Sequence, residues 1–275
     1  MSHQSGRRRK RAERFILILF FFTVGIAIVF FSNYHAENQK ISGRVTQKLS
    51  QVQSGPSSSS AVALLKSQKP RLAEKKTISV PYISQQGSYA TGCELVSAAM
   101  FLNYYKYPVS VQDVVAQTPF SNLQPTDNGG FTGKSPSQTF IGDPESETGF
   151  GCYAPVIISA LNSFFRKDNR MTAVNLTGTG FDNLIPYINQ GDPVIVWATI
   201  NMQPSYAGMN WVLEDTGETF TWTAEEHCLV LVGYDADKYY FNDPYDSNGV
   251  VGYDKALVLQ RYGELGKQAV AAVHT

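Results

Sequence analysis

Histidine is scarce in this 275-residue chain. There are four, and three of them sit near its ends: His3, His35 and His274. Only His227 lies within the body of the sequence. Three cysteines, Cys93, Cys152 and Cys228, are too few for a disulfide framework, and no two are spaced as a Cys-x-x-Cys metal pair. Cys152 and Cys228 are left open to pair with each other while Cys93 stays free. Charge of either sign is not in excess: Lys plus Arg and Asp plus Glu both number 23. That balance removes the electrostatic footprint of a nucleic-acid binder. There is no internal repeat. Aromatics are abundant, with 15 Tyr and 16 Phe, so a sizeable core is available and disorder of the whole chain is excluded.

The N-terminal part is organised differently from the rest. Residues 7–11 are all Arg or Lys, and residues 15–31 follow as 17 uncharged, mostly apolar positions. A run of that length is at the short end of what spans a bilayer. Basic residues before it place the N-terminus in the cytoplasm and the remainder outside. The rival is a cleaved signal peptide, but Ser32 to Glu37 has no small residue two positions before Ala36. The expected organisation is therefore a basic leader at 1–14, a transmembrane anchor at 15–31, a polar Ser/Gln-rich linker at 32–76, and a folded domain at 77–275. A short helix at Ala61–Gln68 interrupts the linker in this reading.

Within the domain, Ile78–Ile83 alternates like a strand, with Pro81 marking an edge or an end. Thr91-x-x-Glu94 has the form of a capping box. Beyond it Leu95, Ala98, Ala99, Leu102 and Tyr105 define one face of a helix to about Lys106. A second short helix is expected at Val109–Val115, capped by Ser110. Helices are expected also at Tyr153–Phe165 and Gly180–Asn189. Strands are expected at Pro193–Ile200, His227–Tyr234 and Lys238–Asn242. Between the first helices and Tyr153 lies a long Gly-, Pro- and Ser-rich loop, Thr118–Gly151, a kind of segment that is often functional. Helices first and mostly antiparallel strands afterwards make an α+β pattern.

The chemistry points to a thiol nucleophile. Cys93 falls in the first turn of a helix, where unpaired N–H groups and the helix dipole favour an anion. His227 is the available proton acceptor, and it opens an apolar strand. The third group, which would orient the imidazole, lies across the hairpin. A three-residue turn centred on Asp235 pairs His227 with Asp243. A two-residue turn at Ala236–Asp237 pairs it with Asp246. Asn242 is the third choice. The N–H of Cys93 can stabilise an oxyanion, with a side-chain amide from Gln85 or Gln86 as the second donor. The aromatics Phe131, Phe140, Trp211 and Trp222 either line subsites of the cleft or anchor its loops.

These residues come in a telling order. Pro81–Gln85, Thr91–Met100, Gly142–Pro144, Gly191–Trp197, Glu226–His227, Gly233–Asp235 and Asn242–Pro244 together resemble the family-C39-like cysteine peptidase domains, relatives of bacteriocin leader peptidases. The resemblance covers about Thr77 to Val273. It implies a papain-like fold, a helical part packed on a mostly antiparallel sheet. It implies Cys93 as nucleophile, His227 as base, Asp243 as orienting acid and Gln85 as oxyanion donor. The expected activity is an extracytoplasmic peptidase or amidase working through a thioester. An acyltransferase on the same residues, or a non-catalytic binding module, are the alternatives. The expected partners are a peptide, protein or cell-wall amide substrate and the membrane at the anchor. Neither cofactor nor metal is called for.

Overall fold

The structure is a computed structural model, and it describes residues 75–246 and 248–275. The basic leader, the apolar run at 15–31 and nearly all of the linker, including Ala61–Gln68, lie outside the described residues. Among the described residues no helix is long and apolar enough to cross a membrane.

In chain order the first half contains β1 (Lys76–Thr77), α1 (Cys93–Tyr104), α2 (Val111–Val115), β2 (Phe120–Ser121), β3 (Gln124–Pro125), β4 (Phe131–Gly133), β5 (Phe140–Ile141) and α3 (Ala154–Phe165). The second half contains β6 (Met171–Asn175), α4 (Ile185–Gln190), β7 (Val194–Thr199), β8 (Tyr206–Leu213), β9 (Thr219–Ala224), β10 (Glu226–Tyr234), β11 (Lys238–Asn242), β12 (Val250–Asp254), α5 (Lys255–Glu264) and β13 (Ala269–His274). A 3-10 turn at Phe181–Asn183 leads into α4, so the helix expected at Gly180–Asn189 is present in two pieces.

The main sheet has the order β12-β11-β10-β7-β13-β6, with β1 added against β10, and every pairing in it is antiparallel. Its centre is the pair β7 and β10, whose residues 194–199 and 226–233 are all buried. Such two-sided burial explains why both strands read as continuous apolar runs rather than as alternations. α1 packs on β10 and β7, and α3 on β6, β13 and α1. This is the expected α+β architecture.

Three local expectations are corrected. Ile78–Ile83 is not a strand; pairing is confined to β1 and the Ile78 N–H, which donates to the Val232 carbonyl at 2.7 Å. Pro81 has no N–H to continue a ladder, and the Val80 carbonyl is taken instead by the Asn242 side chain at 3.0 Å. The Thr91/Glu94 capping box does not form. α1 begins at Cys93 with Gly92 as N-cap and no side-chain cap. The Thr91 hydroxyl donates to the carbonyls of Asp143 and Ser146. Finally, the segment Thr118–Gly151 is not structureless but carries four short strands. By contrast, Ser110 caps α2 in a full box with Asp113.

Trp211, Trp222 and Ile141 form a separate small core with Phe131 and Phe150 packed on it. Trp222 stacks on Tyr153 at 5.6 Å, and the Trp211 indole N–H donates to the Lys134 carbonyl. Phe140 is fully buried in the main core. These four aromatics are loop anchors.

Candidate active site

β11 pairs with β10 only as far as Val230–Asn242. The first residues of β10, Glu226–Leu229, therefore keep one edge free of a strand partner while β7 covers the other. The start of α1 occupies that edge. Cys93 Sγ accepts the Cys228 N–H at 3.4 Å, and the Ser97 hydroxyl, one helical turn on, donates to the Cys228 carbonyl at 3.0 Å. One strand residue is thus satisfied by two side chains of one helix face.

His227 is the neighbour of that residue and is buried. Its Nε2 lies 2.7 Å from Asp243 Oδ1. Strand alternation points His227 to the face away from Glu226 and Cys228, with Cys93 Sγ at the edge between the two faces. Among the described residues the hydrogen bonds of the Cys93 thiol run to Cys228 and Glu94, and none to His227.

Neither simple hairpin register brings Asp243 to His227. The turn pairs Tyr234 with Tyr239, the two-residue register, and a bulge between Leu231 and Gly233 then slips it by one. Asp243 lies just past the end of β11 and is held there by its own turn. Its Oδ1 also accepts the Tyr245 N–H at 3.0 Å, and its Oδ2 accepts the Tyr253 hydroxyl at 2.8 Å. Burial pushes this carboxyl up, but the bonds from His227, Tyr253 and Tyr245 outweigh that and hold it below the usual range. Asp246 instead accepts the Asn248 N–H. Asn242 reaches back to Val80 and toward Met100.

Gln85 is buried, and its side-chain amide donates to the carbonyls of Ala90 at 3.1 Å and Tyr89 at 3.3 Å. Among the described residues its Oε1 has no partner. Gln86 is exposed and donates to the Tyr245 carbonyl. Both line a cavity of about 400 Å³ together with Tyr245, Glu145 and Glu147. Tyr245 in turn sits edge-on to the His227 ring at 6.1 Å between centroids. The loop Thr118–Gly151 reaches this cavity through Glu145 and Glu147, and neither Cys93 nor His227 is among the residues that line it. The Trp211–Trp222 hairpin does not line it.

The expected low thiol pKa is not what the geometry produces. Burial pushes the Cys93 thiol well up, and the Glu94 and Glu226 carboxylates add to that; the Cys228 N–H offsets only part. Glu94 is wholly buried, with Oε1 accepting the Cys152 N–H at 2.5 Å and Oε2 3.4 Å from Cys93 Sγ. Glu226 is buried at the head of β10. Burial raises both carboxyls, Glu94 to about 7, and the proximity of Glu94 adds to the rise at Glu226. Among the described residues no Lys, Arg or His forms an ion pair with either. Gly151 makes room for the pair, since a Cβ there would collide with Glu94 Oε1. All three cysteines are free thiols, so Cys152 and Cys228 are not paired.

Sequence reasoning passed over Glu94 as a site residue, and with it Glu226, Tyr253 and Ser97. An acidic residue directly ahead of the apolar run, as Glu226 is, was the available signal. Tyr253 gave none, because its role depends on how β12 folds back.

Residues 77–270 match the model of the Peptidase_C39 like family. The chain belongs to that family. Over 185 residues it is 31% identical to the uncharacterized protein YvpB of Bacillus subtilis (strain 168), covering 65% of this chain and 68% of that one. A Bacillus anthracis crystal structure described as a C39-like peptidase superposes with a TM-score of 0.64 at 27% identity, covering 73% of this chain and 98% of that one. The papain-like, mixed helix and antiparallel sheet fold is thereby shown for the C39-like domain.

Proposed function

We propose that this C39-like protein is a cysteine peptidase or amidase, displayed outside the cytoplasmic membrane by its N-terminal segment, with Cys93 as nucleophile. The observation that carries the reading is the buried His227–Asp243 bond at 2.7 Å, one residue along the strand from the N–H that holds Cys93 Sγ.

In this reading Asp243 fixes the imidazole through Nε2 and leaves Nδ1 to take a proton. At rest the thiol is protonated and faces Glu94. When a substrate carbonyl arrives, the S–H turns to His227, Nδ1 accepts the proton, and Sγ bonds to the carbonyl carbon. The negative oxygen of the tetrahedral adduct is met by the Cys93 N–H, and by the Gln85 amide once it turns from the Ala90 carbonyl. Collapse breaks the C–N bond. His227 returns its proton to the departing amine and leaves a thioester at Cys93. Water, deprotonated by His227, then releases the acid and restores the thiol.

The experiment is a screen of the full-length chain against peptides and cell-wall fragments, with hydroxylamine present to trap a thioester as a hydroxamate. The expected result is cleavage with hydroxamate formation, reduced about a thousandfold or more in Cys93→Ala and His227→Ala. Cleavage that survives Cys93→Ala overturns the reading. Amine transfer in preference to hydrolysis converts it to an acyltransferase, and ligand binding unchanged in Cys93→Ala without turnover converts it to a binding module. The location is tested separately, by protease shaving of intact cells. Loss of the domain from intact cells supports display outside, and protection until lysis refutes it.

A further inference from the structure

The region under Cys93 has an electrostatic problem that the proposed reaction does not use. One thiol and two carboxyls meet in the interior, and among the described residues no Lys, Arg or His side chain pairs with either carboxyl. One potential ligand atom each of Cys93, Glu94 and Glu226 lies within 4.8 Å of the other two, and all three residues are buried. Glu226 is only 8% exposed, yet among the described residues its Oε1 has no hydrogen-bond partner. A buried carboxyl without a partner keeps its proton rather than its charge, and a cation that reaches the oxygen can take that proton's place.

The cluster is also prepared from outside. The Cys152 N–H fixes Glu94 Oε1, which turns Oε2 toward Sγ. Gly151 supplies the space, because a Cβ there would also stand 3.3 Å from Glu226 Oε2. These features orient donor atoms in the way that hydrogen bonds around a metal centre orient its ligands.

We propose that Cys93 Sγ, Glu94 Oε2 and the Glu226 carboxylate form a site for a thiophilic divalent cation of the zinc class. One thiolate and two carboxylates suit zinc, which accepts three protein ligands and leaves a fourth position open. The sulfur disfavours calcium and magnesium, which take oxygen ligands. The chain spacing hides the site, since Glu226 joins the other two only through β10. On binding, the metal–sulfur bond replaces S–H, and each proton displaced from a ligand goes to solvent. A bound cation turns the thiol into a ligand, so occupancy would switch off attack by Cys93. That consequence rests on the peptidase reading; the binding itself does not.

The test uses the full-length chain, reduced and metal-free. Zinc is titrated against a chromophoric chelator, and cobalt(II) is added separately to look for thiolate-to-cobalt charge-transfer absorption. The expected result is one zinc per chain, a cobalt–thiolate band that Cys93→Ser abolishes, and affinity at least tenfold weaker in Glu226→Gln. No stoichiometric zinc, no cobalt–thiolate band in the unsubstituted chain, or equal affinity in a folded Glu226→Gln each overturns the site. Should Glu226→Gln fail to fold, Glu226→Asp replaces it, and unchanged affinity there counts against the site equally. Zinc binding with an inert Cys93 keeps the site and removes the peptidase; peptide cleavage indifferent to equimolar zinc does the reverse.

Discussion

Cys93 Sγ accepts the backbone N–H of Cys228 at 3.4 Å, so the helix-start thiol is docked on the strand residue that follows His227. This contact joins two segments far apart in sequence. It also places the sulfur where β11 has stopped pairing, at a strand edge that another strand would otherwise close. The thiol is held by a donor but is buried beside two carboxyls, and burial first, then the carboxyls, keep it protonated.

The first prediction is kinetic. A buried thiol flanked by Glu94 and Glu226 stays protonated at neutral pH, so a small alkylating agent should modify Cys93 slowly there. Glu94→Gln removes a carboxylate that adds to the rise at the thiol, while burial, the larger cause, stays; alkylation at pH 7 should speed up severalfold. The rate of iodoacetamide labelling at Cys93, followed by mass spectrometry, measures it. An unchanged or slower rate in a folded Glu94→Gln contradicts the assignment.

A second prediction concerns stability against pH. Glu94 and Glu226 bind protons more tightly in the folded protein than in the unfolded chain. Their contribution is therefore complete below the unfolded value, 4.5, and is lost as pH rises through about 7 for Glu94. The loss attributable to Glu94 alone is roughly 3 kcal/mol, since each tenfold change in proton affinity is worth about 1.4 kcal/mol. Asp243 works in the opposite direction. Its lowered value contributes stability above 3.8 that disappears on further acidification. Urea unfolding with a chelator present should show the protein more stable at pH 5 than at pH 8. Glu94→Gln should flatten that slope. A slope unaltered by the substitution would assign it to other groups.

How much of this was legible beforehand varies by element. The buried strands β7 and β10 were plain, because runs such as Val194–Thr199 have the apolar character that a covered sheet demands. Cys93 and His227 stand out by residue type and position, whereas Asp243 is preferred over Asp246 and Asn242 only through the family resemblance. Their geometry was not readable, because the register depends on a bulge near Val232 that leaves no mark in composition. Glu94 was misread for a definite reason. A Ser/Thr-x-x-Glu pattern scores local contacts, whereas this carboxylate bonds an N–H 58 residues away. α1 is buried on nearly every side, so no polar face set Glu94 apart.

A third prediction isolates Gly151. Its φ is +148°, which other residues rarely adopt, and a side chain there would strike Glu94 Oε1. Gly151→Ala should destabilise the domain by about 2–3 kcal/mol, combining backbone strain with displacement of a buried hydrogen-bonded group. Thermal unfolding measures this. The same change at Gly129, whose Cβ would meet nothing within 4 Å although its φ is +80°, should cost only the strain of that backbone conformation. Equal losses at the two positions would show that the Glu94 contact has no part in the effect.

The last prediction is about which substrates the site prefers. The cavity lined by Tyr245, whose ring meets His227 edge-on, is also lined by Glu145, Glu147, Gln85 and Gln86. Two carboxylates lining a cavity attract cations, so under the proposed peptidase reading a peptide bearing Lys, Arg or a free amino group near the bond to be cleaved should be favoured. The pair Glu145→Gln and Glu147→Gln should raise KM for a lysine-containing peptide by about tenfold and leave kcat nearly unchanged, the pattern of lost uniform binding. Added salt should raise KM for the unsubstituted protein in the same direction, because interactions between exposed charges are screened. A neutral peptide of the same length is the control. If the double substitution weakens both peptides equally, the glutamates shape the cleft without reading charge.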